Sequence, residues 1–237
     1  MLQLNRYCSV TDTPCFVNMP NLDPQWVQGL FTQIRVQQGE VVYNQGDPAD
    51  KLYIVKTGIL INVFDGDLRR FIVSYQRLGD VIGETEVLYP HPVRFVTLIA
   101  LYDTILWGIG KDKLELLLGR YPELYRRFFA VVGDRLVRAG RKLAYLSLMD
   151  AKTRIIRLGL DALKDRRSQG NTSMQWHITQ QSIADHLGLT RESVARVLAE
   201  LEHQGFIKTS RSTIEVLDVE AIKKQVHFHD DTMLIHT

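Results

Sequence analysis

The segment Thr179–Gly205 constrains this chain more than any other, because its spacing admits few folds. Thr179 is placed to cap a helix running through His186, and Ala184 is small enough for a close helix crossing. Gly188 supplies a left-handed turn residue, and Thr190 caps a second helix that continues to about His203. Ile183, Leu187, Leu189, Val194, Val197, Leu198 and Leu201 then form one connected inward face. Past Gly205, Phe206–Thr209 and Thr213–Val216 read as two strands joined across Ser210-Arg211-Ser212, so the helical pair carries a β-hairpin wing.

With that face turned inward, Arg191, Glu192 and Arg196 project outward from the first half of the second helix. This is where a major-groove reader places its base contacts, and the residue types match the task. Two guanidinium donors fit guanine O6 and N7, and a carboxylate accepts from cytosine N4. Thr179, Gln181, Thr190 and Ser193 offer short polar groups suited to phosphate oxygens near the two helix starts. The competing reading is a surface ion cluster of Arg191, Glu192 and Arg196.

Upstream, from about Ile34 to Gly110, short β-branched and aromatic runs alternate with Gly39, Gly46, Gly58, Gly66, Gly79 and Gly83. The runs are Val41–Tyr43, Leu52–Val55, Ile59–Phe64, Phe71–Val73, Val96–Leu101 and Ile105–Trp107, and turn punctuation at this spacing predicts an all-β sandwich or barrel. Asp65-Gly66 is its clearest hairpin turn. From near Lys111 the pattern becomes helical. Phe129, Val132, Leu136, Ala139, Leu143 and Leu146 recur at intervals of three and four, as along a two-stranded coiled-coil seam; packing of the stripe on the chain's own β domain is the alternative. Ala139 and Gly140 are small residues in mid-helix, as though something needs room there. Asp150 is a natural N-cap for a helix from Ala151 to about Asp165, marking a candidate hinge, and Arg166–Ser173 reads as a loop.

The 237 residues, 45% apolar and 24% charged, suit one or two globular domains. No window approaches the roughly 18 to 20 apolar residues of a membrane span, and Met1–Val10 lacks a basic region leading into an apolar one, so a cytoplasmic protein is expected. The formal charge of +2 is unevenly placed: Gly119–Met149 holds seven basic against two acidic residues, and Ala151–Thr213 ten against six. That suits a polyanion or a solvated face. Cys8 and Cys15 match no zinc or redox spacing and read as free thiols, leaving a thiol switch open. His91 reads as an exposed loop residue and His227, His229 and His236 as tail residues, so no metal site is expected. No Ser-His-Asp set, metal-ligand spacing or phosphate loop is present, and an enzyme is not expected.

A glycine-punctuated β-roll, a long helix and a winged helix-turn-helix, in that order, resemble the CRP/FNR family of bacterial transcription regulators. The resemblance rests on Asn44-Gln45-Gly46-Asp47-Pro48-Ala49, Leu52–Val55, Leu78-Gly79-Asp80-Val81-Ile82-Gly83-Glu84 and Leu189-Thr190-Arg191-Glu192-Ser193-Val194-Ala195-Arg196. It implies an α+β fold: a β-roll of the double-stranded β-helix or jelly-roll type with a dimerisation helix at about 112–149, within a sensor domain 20–149, then a DNA-binding domain 150–225. It also implies a homodimer gated by a small-molecule effector, reading palindromic double-stranded DNA, with RNA polymerase as partner. The Arg-Glu-x-x-x-Arg pattern is similar to that of the cyclic-AMP receptor branch and implies TGTGA-like half-sites. A cyclic-nucleotide-binding module that docks protein through its C-terminal domain is the alternative.

The resemblance also marks an effector pocket of Gly83, Glu84, Thr85, Arg94, Phe95, Ala139 and Gly140. In cyclic-nucleotide-binding members the glutamate accepts from the ribose 2′-hydroxyl and the arginine ten residues later pairs with the cyclic phosphate. Three departures argue against cyclic AMP here. Phe95 stands where a small or hydroxyl residue is usual and would fill the pocket; Glu86 replaces a glycine and would oppose an anionic ligand if it faced inward; and Ala139 and Gly140 lack the hydroxyls that recognise adenine. The expectation is another small effector, an emptied pocket whose switch lies elsewhere, or a Glu84–Arg94 ion pair.

Overall fold

The computed structural model describes residues 7–66, 70–168 and 174–226. By its backbone contacts the chain divides into two compact units, one holding the residues up to Asp65 with Ile72–Leu136, the other Gly66–Phe71 with the residues from Val137 on. The architecture is α+β. Among the described residues no helix is long and apolar enough to cross a membrane.

In the first unit a 3-10 turn (Val10–Asp12) and α1 (Pro24–Leu30) precede a β-sandwich. Its strands are β1 (Thr32–Val36), β2 (Val41–Tyr43), β3 (Lys51–Thr57), β4 (Leu60–Asp65), β5 (Arg70–Gln76), β6 (Val81–Ile82), β7 (Thr97–Ala100) and β8 (Thr104–Gly110), with α2 (Glu84–Val87) after β6. They form two four-stranded sheets, ordered β1-β8-β3-β6 and β2-β7-β4-β5. The alternation of strand side chains explains why β3 reads as an unbroken apolar run. Leu52 and Ile54 pack with Trp107, Ile109 and the helical residues Val27, Leu114 and Leu117, whereas Tyr53 and Val55 pack with Leu60, Leu98 and Leu106 between the sheets. β4 and β5 are adjacent, as the Asp65-Gly66 turn requires, although residues 67–69 lie outside the described residues.

The helix expected over about 112–149 is two helices, α3 (Lys111–Arg120) and α4 (Glu123–Leu148). The break lies at Tyr121, whose φ of −128° and ψ of 74° are not helical. A residue before proline is forced out of the α region, and Pro122 follows it. Tyr121 is buried in the break, and its hydroxyl accepts from the Asp23 N–H at 2.9 Å.

The second unit contains α5 (Ala151–Ser168), β9 (Gln175–His177), α6 (Gln180–Leu187), α7 (Arg191–His203), β10 (Ile207–Thr209), β11 (Thr213–Val216) and α8 (Val219–Lys224). Asp150 caps α5 as expected: the Thr153 N–H donates to its Oδ1 at 2.7 Å and holds its carboxyl below the usual carboxylate range. Helix α5 continues to Ser168, so Arg166–Ser168, expected in a loop, are helical; residues 169–173 lie outside the described residues. The wing pairs Ile207 with Val216 and Thr209 with Ile214, and β9 adds a third strand through Trp176 opposite Ile214. Gly159 makes room for that indole, since a Cβ there would lie 3.4 Å from its ring. His227, His229 and His236 also lie outside the described residues.

Candidate nucleic-acid interface and sensor site

The two helix starts of the second unit are built by hydroxyl caps. The Ser182 N–H donates to Thr179 Oγ1 at 3.0 Å, and the Ser193 N–H donates to Thr190 Oγ1 at 3.2 Å. Between them Gly188 ends α6 with φ at +63°, a conformation L residues rarely adopt. Ile183, Leu187, Val194, Val197, Leu198 and Leu201 are buried, and Leu189 is partly buried. The opposite face of α7 presents Arg191, Glu192 and Arg196 to solvent. Glu192 and Arg196 stand four residues apart in the order that favours an ion pair, yet among the described residues none of the three forms one. Three charged groups thus stand together at the front of one helix with no ion pair among the described residues to hold them.

The expected phosphate-contact residues are engaged locally to different degrees. Thr190 donates its hydroxyl to Ser193 Oγ at 2.9 Å, which leaves the Ser193 hydroxyl hydrogen free to point outward. Thr179 and Ser182 share a hydroxyl hydrogen bond at 2.8 Å, and the Gln181 amide donates to Asp185 Oδ1 at 2.8 Å. The wing brings two residues that the sequence reading did not single out, Lys208 and Arg211, both exposed. Its angle to α7 is fixed by Glu202, which accepts from the Thr209 N–H at 2.8 Å and hydroxyl at 2.7 Å and is thereby held below the usual carboxylate range.

In the first unit a cluster of buried charge surrounds α2. Gly83 precedes it with φ at +85°, and a Cβ there would sit 2.5 Å from Arg94 Nη1 and 3.2 Å from the Lys51 carbonyl. Glu84 and Arg94, both almost fully buried, do not pair with each other. Arg135 of α4 donates to Glu84 Oε1, to the Val81 carbonyl and, at 3.3 Å, to Gln76 Oε1. Arg94 instead donates to Glu86 Oε2 at 3.3 Å and to the Lys51 carbonyl at 2.6 Å, with its guanidinium 4.2 Å from the Tyr43 ring centroid. Burial and the Glu86 carboxylate push the Tyr43 hydroxyl well above its ordinary range.

Gly83, Glu84 and Arg94 are thus brought together, and the structure adds Arg135 and Glu86 to them. Thr85 is exposed beside them, while its hydroxyl donates to Glu84 Oε1 at 3.3 Å. Phe95 does not fill the pocket: it lies in the bend just before β7, is 46% exposed and meets Tyr89 edge-on, while Arg94 beside it is buried. Ala139 and Gly140 lie on an exposed stretch of α4 in the second unit. Arg135, which the sequence reading did not single out, lies one helical turn before Ala139 on the same face of α4.

Comparison with known proteins joins these two sites in one molecule. Residues 33–121 match the model of the cyclic nucleotide-binding domain, and residues 151–225 match that of the Crp-like helix-turn-helix domain. The chain belongs to the CRP/FNR family of transcription regulators. It is accordingly a DNA-binding regulator of the ligand-responsive CRP/FNR type and not an enzyme. Among CRP/FNR relatives, the cAMP-activated global transcriptional regulator CRP of Escherichia coli is 28% identical over 201 residues, covering 83% of this chain and 96% of that protein. The CRP-like cAMP-activated global transcriptional regulator of Mycobacterium tuberculosis is 25% identical over 210 residues, covering 86% and 93%. In structure the chain is similar to the c-di-GMP responsive regulator CLP of Xanthomonas campestris, with a TM-score of 0.72 at 25% identity over 80% of this chain and 95% of that one. A CRP/FNR regulator from Eubacterium rectale shares the fold with a TM-score of 0.74 over 89% of this chain and 96% of its own.

Proposed function

We propose that two copies of this chain bind one palindromic DNA site of TGTGA-like half-sites, each inserting the front of α7 into the major groove. Residues 20–149 act as the sensor and dimerisation part and residues 150–225 as the DNA-reading part. The observation that carries this reading is the exposed trio Arg191, Glu192 and Arg196, unpaired among the described residues, at the start of a capped helix. Arg191 and Arg196 supply bidentate donors to guanine, and Glu192 accepts from cytosine N4. Thr179, Gln181, Thr190 and Ser193, with Lys208 and Arg211 of the wing, hold phosphates on either side and fix the register.

Gating follows from a population shift in which a small effector bound beside α2 favours the dimer arrangement that sets the two recognition helices about 34 Å apart. The effector must bind one arrangement better than the other, since equal affinity would shift nothing. RNA polymerase is the partner through which bound protein changes transcription.

Fluorescence anisotropy with a TGTGA palindrome and a scrambled duplex tests the DNA reading. Arg191→Ala is expected to lose about 1–3 kcal/mol on the palindrome and little on scrambled DNA, whereas Gln181→Ala weakens both alike. Affinity should fall steeply with salt, because each neutralised phosphate releases counterions. Equal loss by Arg191→Ala on both duplexes overturns the base contact, and binding without salt dependence points instead to a module that docks protein.

A further inference from the structure

Arg94 poses a chemical question, because a guanidinium 2% exposed needs an anion to remain buried. Two donors converge beside it: its own Nη1–H and the backbone N–H of Phe95. A guanidinium edge next to a backbone N–H is a cradle for a phosphate or carboxylate oxygen pair. The cradle is filled from within. Glu86 places Oε2 on Arg94 Nη1 at 3.3 Å and Oε1 on the Phe95 N–H at 2.9 Å, so one carboxylate takes both donors. Its side chain is 8% exposed. The aromatic rings of Tyr43 and Tyr53 lie over the same guanidinium, at 4.2 and 5.6 Å to their centroids.

We infer that Glu86 sets the ligand class of this sensor site: its carboxylate occupies the anion place on Arg94 and the Phe95 N–H, so the site rejects cyclic nucleotides and other small phosphate esters. A phosphate brought to the same donors meets a buried like charge at hydrogen-bonding distance. Two polar atoms of the cluster are left over, one donor and one acceptor: Arg94 Nε is buried with no hydrogen-bond partner among the described residues. Glu84 Oε2 is buried with no hydrogen-bond partner among the described residues, since Arg135 and Thr85 both use Oε1. This role of Glu86 deepens the sensor half of the proposed function and rests on it.

The test uses the full chain and cyclic AMP as probe, read by calorimetry and by melting temperature. Wild type should give no binding heat with millimolar cyclic AMP and no shift in Tm. Glu86→Gly strands Arg94 and should melt lower, and a ligand that binds only the folded state then restores Tm. Cyclic AMP, and more weakly inorganic phosphate, is expected to do so with at least tenfold greater affinity than for wild type. Adding Arg94→Leu should abolish that gain. Glu86→Gln, which keeps an acceptor for the Phe95 N–H and removes the charge, should show the same gain to a smaller degree. Wild type that binds cyclic AMP as tightly as Glu86→Gly overturns the inference. So does the absence of any gain in both Glu86 variants, or their failure to fold even in phosphate, since the added anion would replace the lost carboxylate. Binding of the TGTGA palindrome is followed in parallel: its loss in wild type removes the DNA reading and leaves the Glu86 result standing.

Discussion

At Gly83 the backbone and the buried charge make one demand from two directions. The φ of +85° is left-handed, and the space where a Cβ would stand is taken by Arg94 Nη1 at 2.5 Å. Alanine there meets about 1–2 kcal/mol of backbone strain before the guanidinium is moved at all. Moving it lengthens the 2.6 Å bond to the Lys51 carbonyl and the contact with Glu86. Gly83→Ala should therefore lower the urea midpoint by more than alanine at Gly39, where φ is +82° but nothing lies within 4 Å. Equal losses at the two positions would show that the backbone alone matters and that Arg94 is not held firmly. Cys15 gives the opposite lesson about side-chain identity. Burial pushes its thiol up to about 12, so a thiolate-dependent switch at that residue has no reactive species to use near neutral pH.

Among the elements, α6 carries a pH dependence that its sequence does not announce. His186 sits in its last turn, and burial, helped by the nearby Lys142 charge, lowers its pKa from 6.5 to about 4. The folded state thus keeps the ring neutral while the unfolded state takes up a proton below about 6.5. Stability is full above that value, falls as the pH drops towards 4, and then levels, for a loss of up to about 3 kcal/mol. His186→Gln should flatten that slope in chemical denaturation between pH 4 and 7; an unchanged slope would place the pH sensitivity elsewhere. The α6–α7 pair was legible because local signals, two hydroxyl caps, a left-handed glycine and a heptad-like apolar face, all agree within about 25 residues. The β-roll was legible for a related reason, since its glycines punctuate short apolar runs. Strand β9 was not: three residues are too few for a period, and Trp176 is held by Ile214 far along the chain. The break at Tyr121-Pro122 was written in the sequence and overridden by the continuing apolar repeat. In the sensor cluster, Gly83, Glu84 and Arg94 carry their spacing in the chain. Their actual partners, Arg135 and Glu86, depend on which way each side chain turns, and spacing alone does not fix that.

For the whole molecule, the proposed dimer turns on the exposed apolar face of α4. Phe129, Leu136 and Leu143 are 77%, 72% and 66% exposed, while Val132 and Leu146 of the same stripe are half-buried. In the dimer we propose, the stripe of this 26-residue helix packs against the same stripe of a second copy, with the same three-and-four spacing. Replacing Leu136 and Leu143 together by Glu puts two like charges into that seam on each copy. The variant should sediment as a monomer at micromolar concentrations at which wild type is a dimer. Its DNA binding should then separate two quantities that wild type mixes. On a duplex with one half-site, each α7 acts alone and the variant should match wild type. On the full palindrome the second half-site is no longer reached at high effective concentration, and affinity should fall by roughly 10²-fold or more. Arg191→Ala must behave differently, losing affinity on both duplexes, because it removes a base contact and not the link between copies. If the double Glu variant loses equally on half-site and palindrome, the stripe serves the fold of one chain and the dimer is built elsewhere.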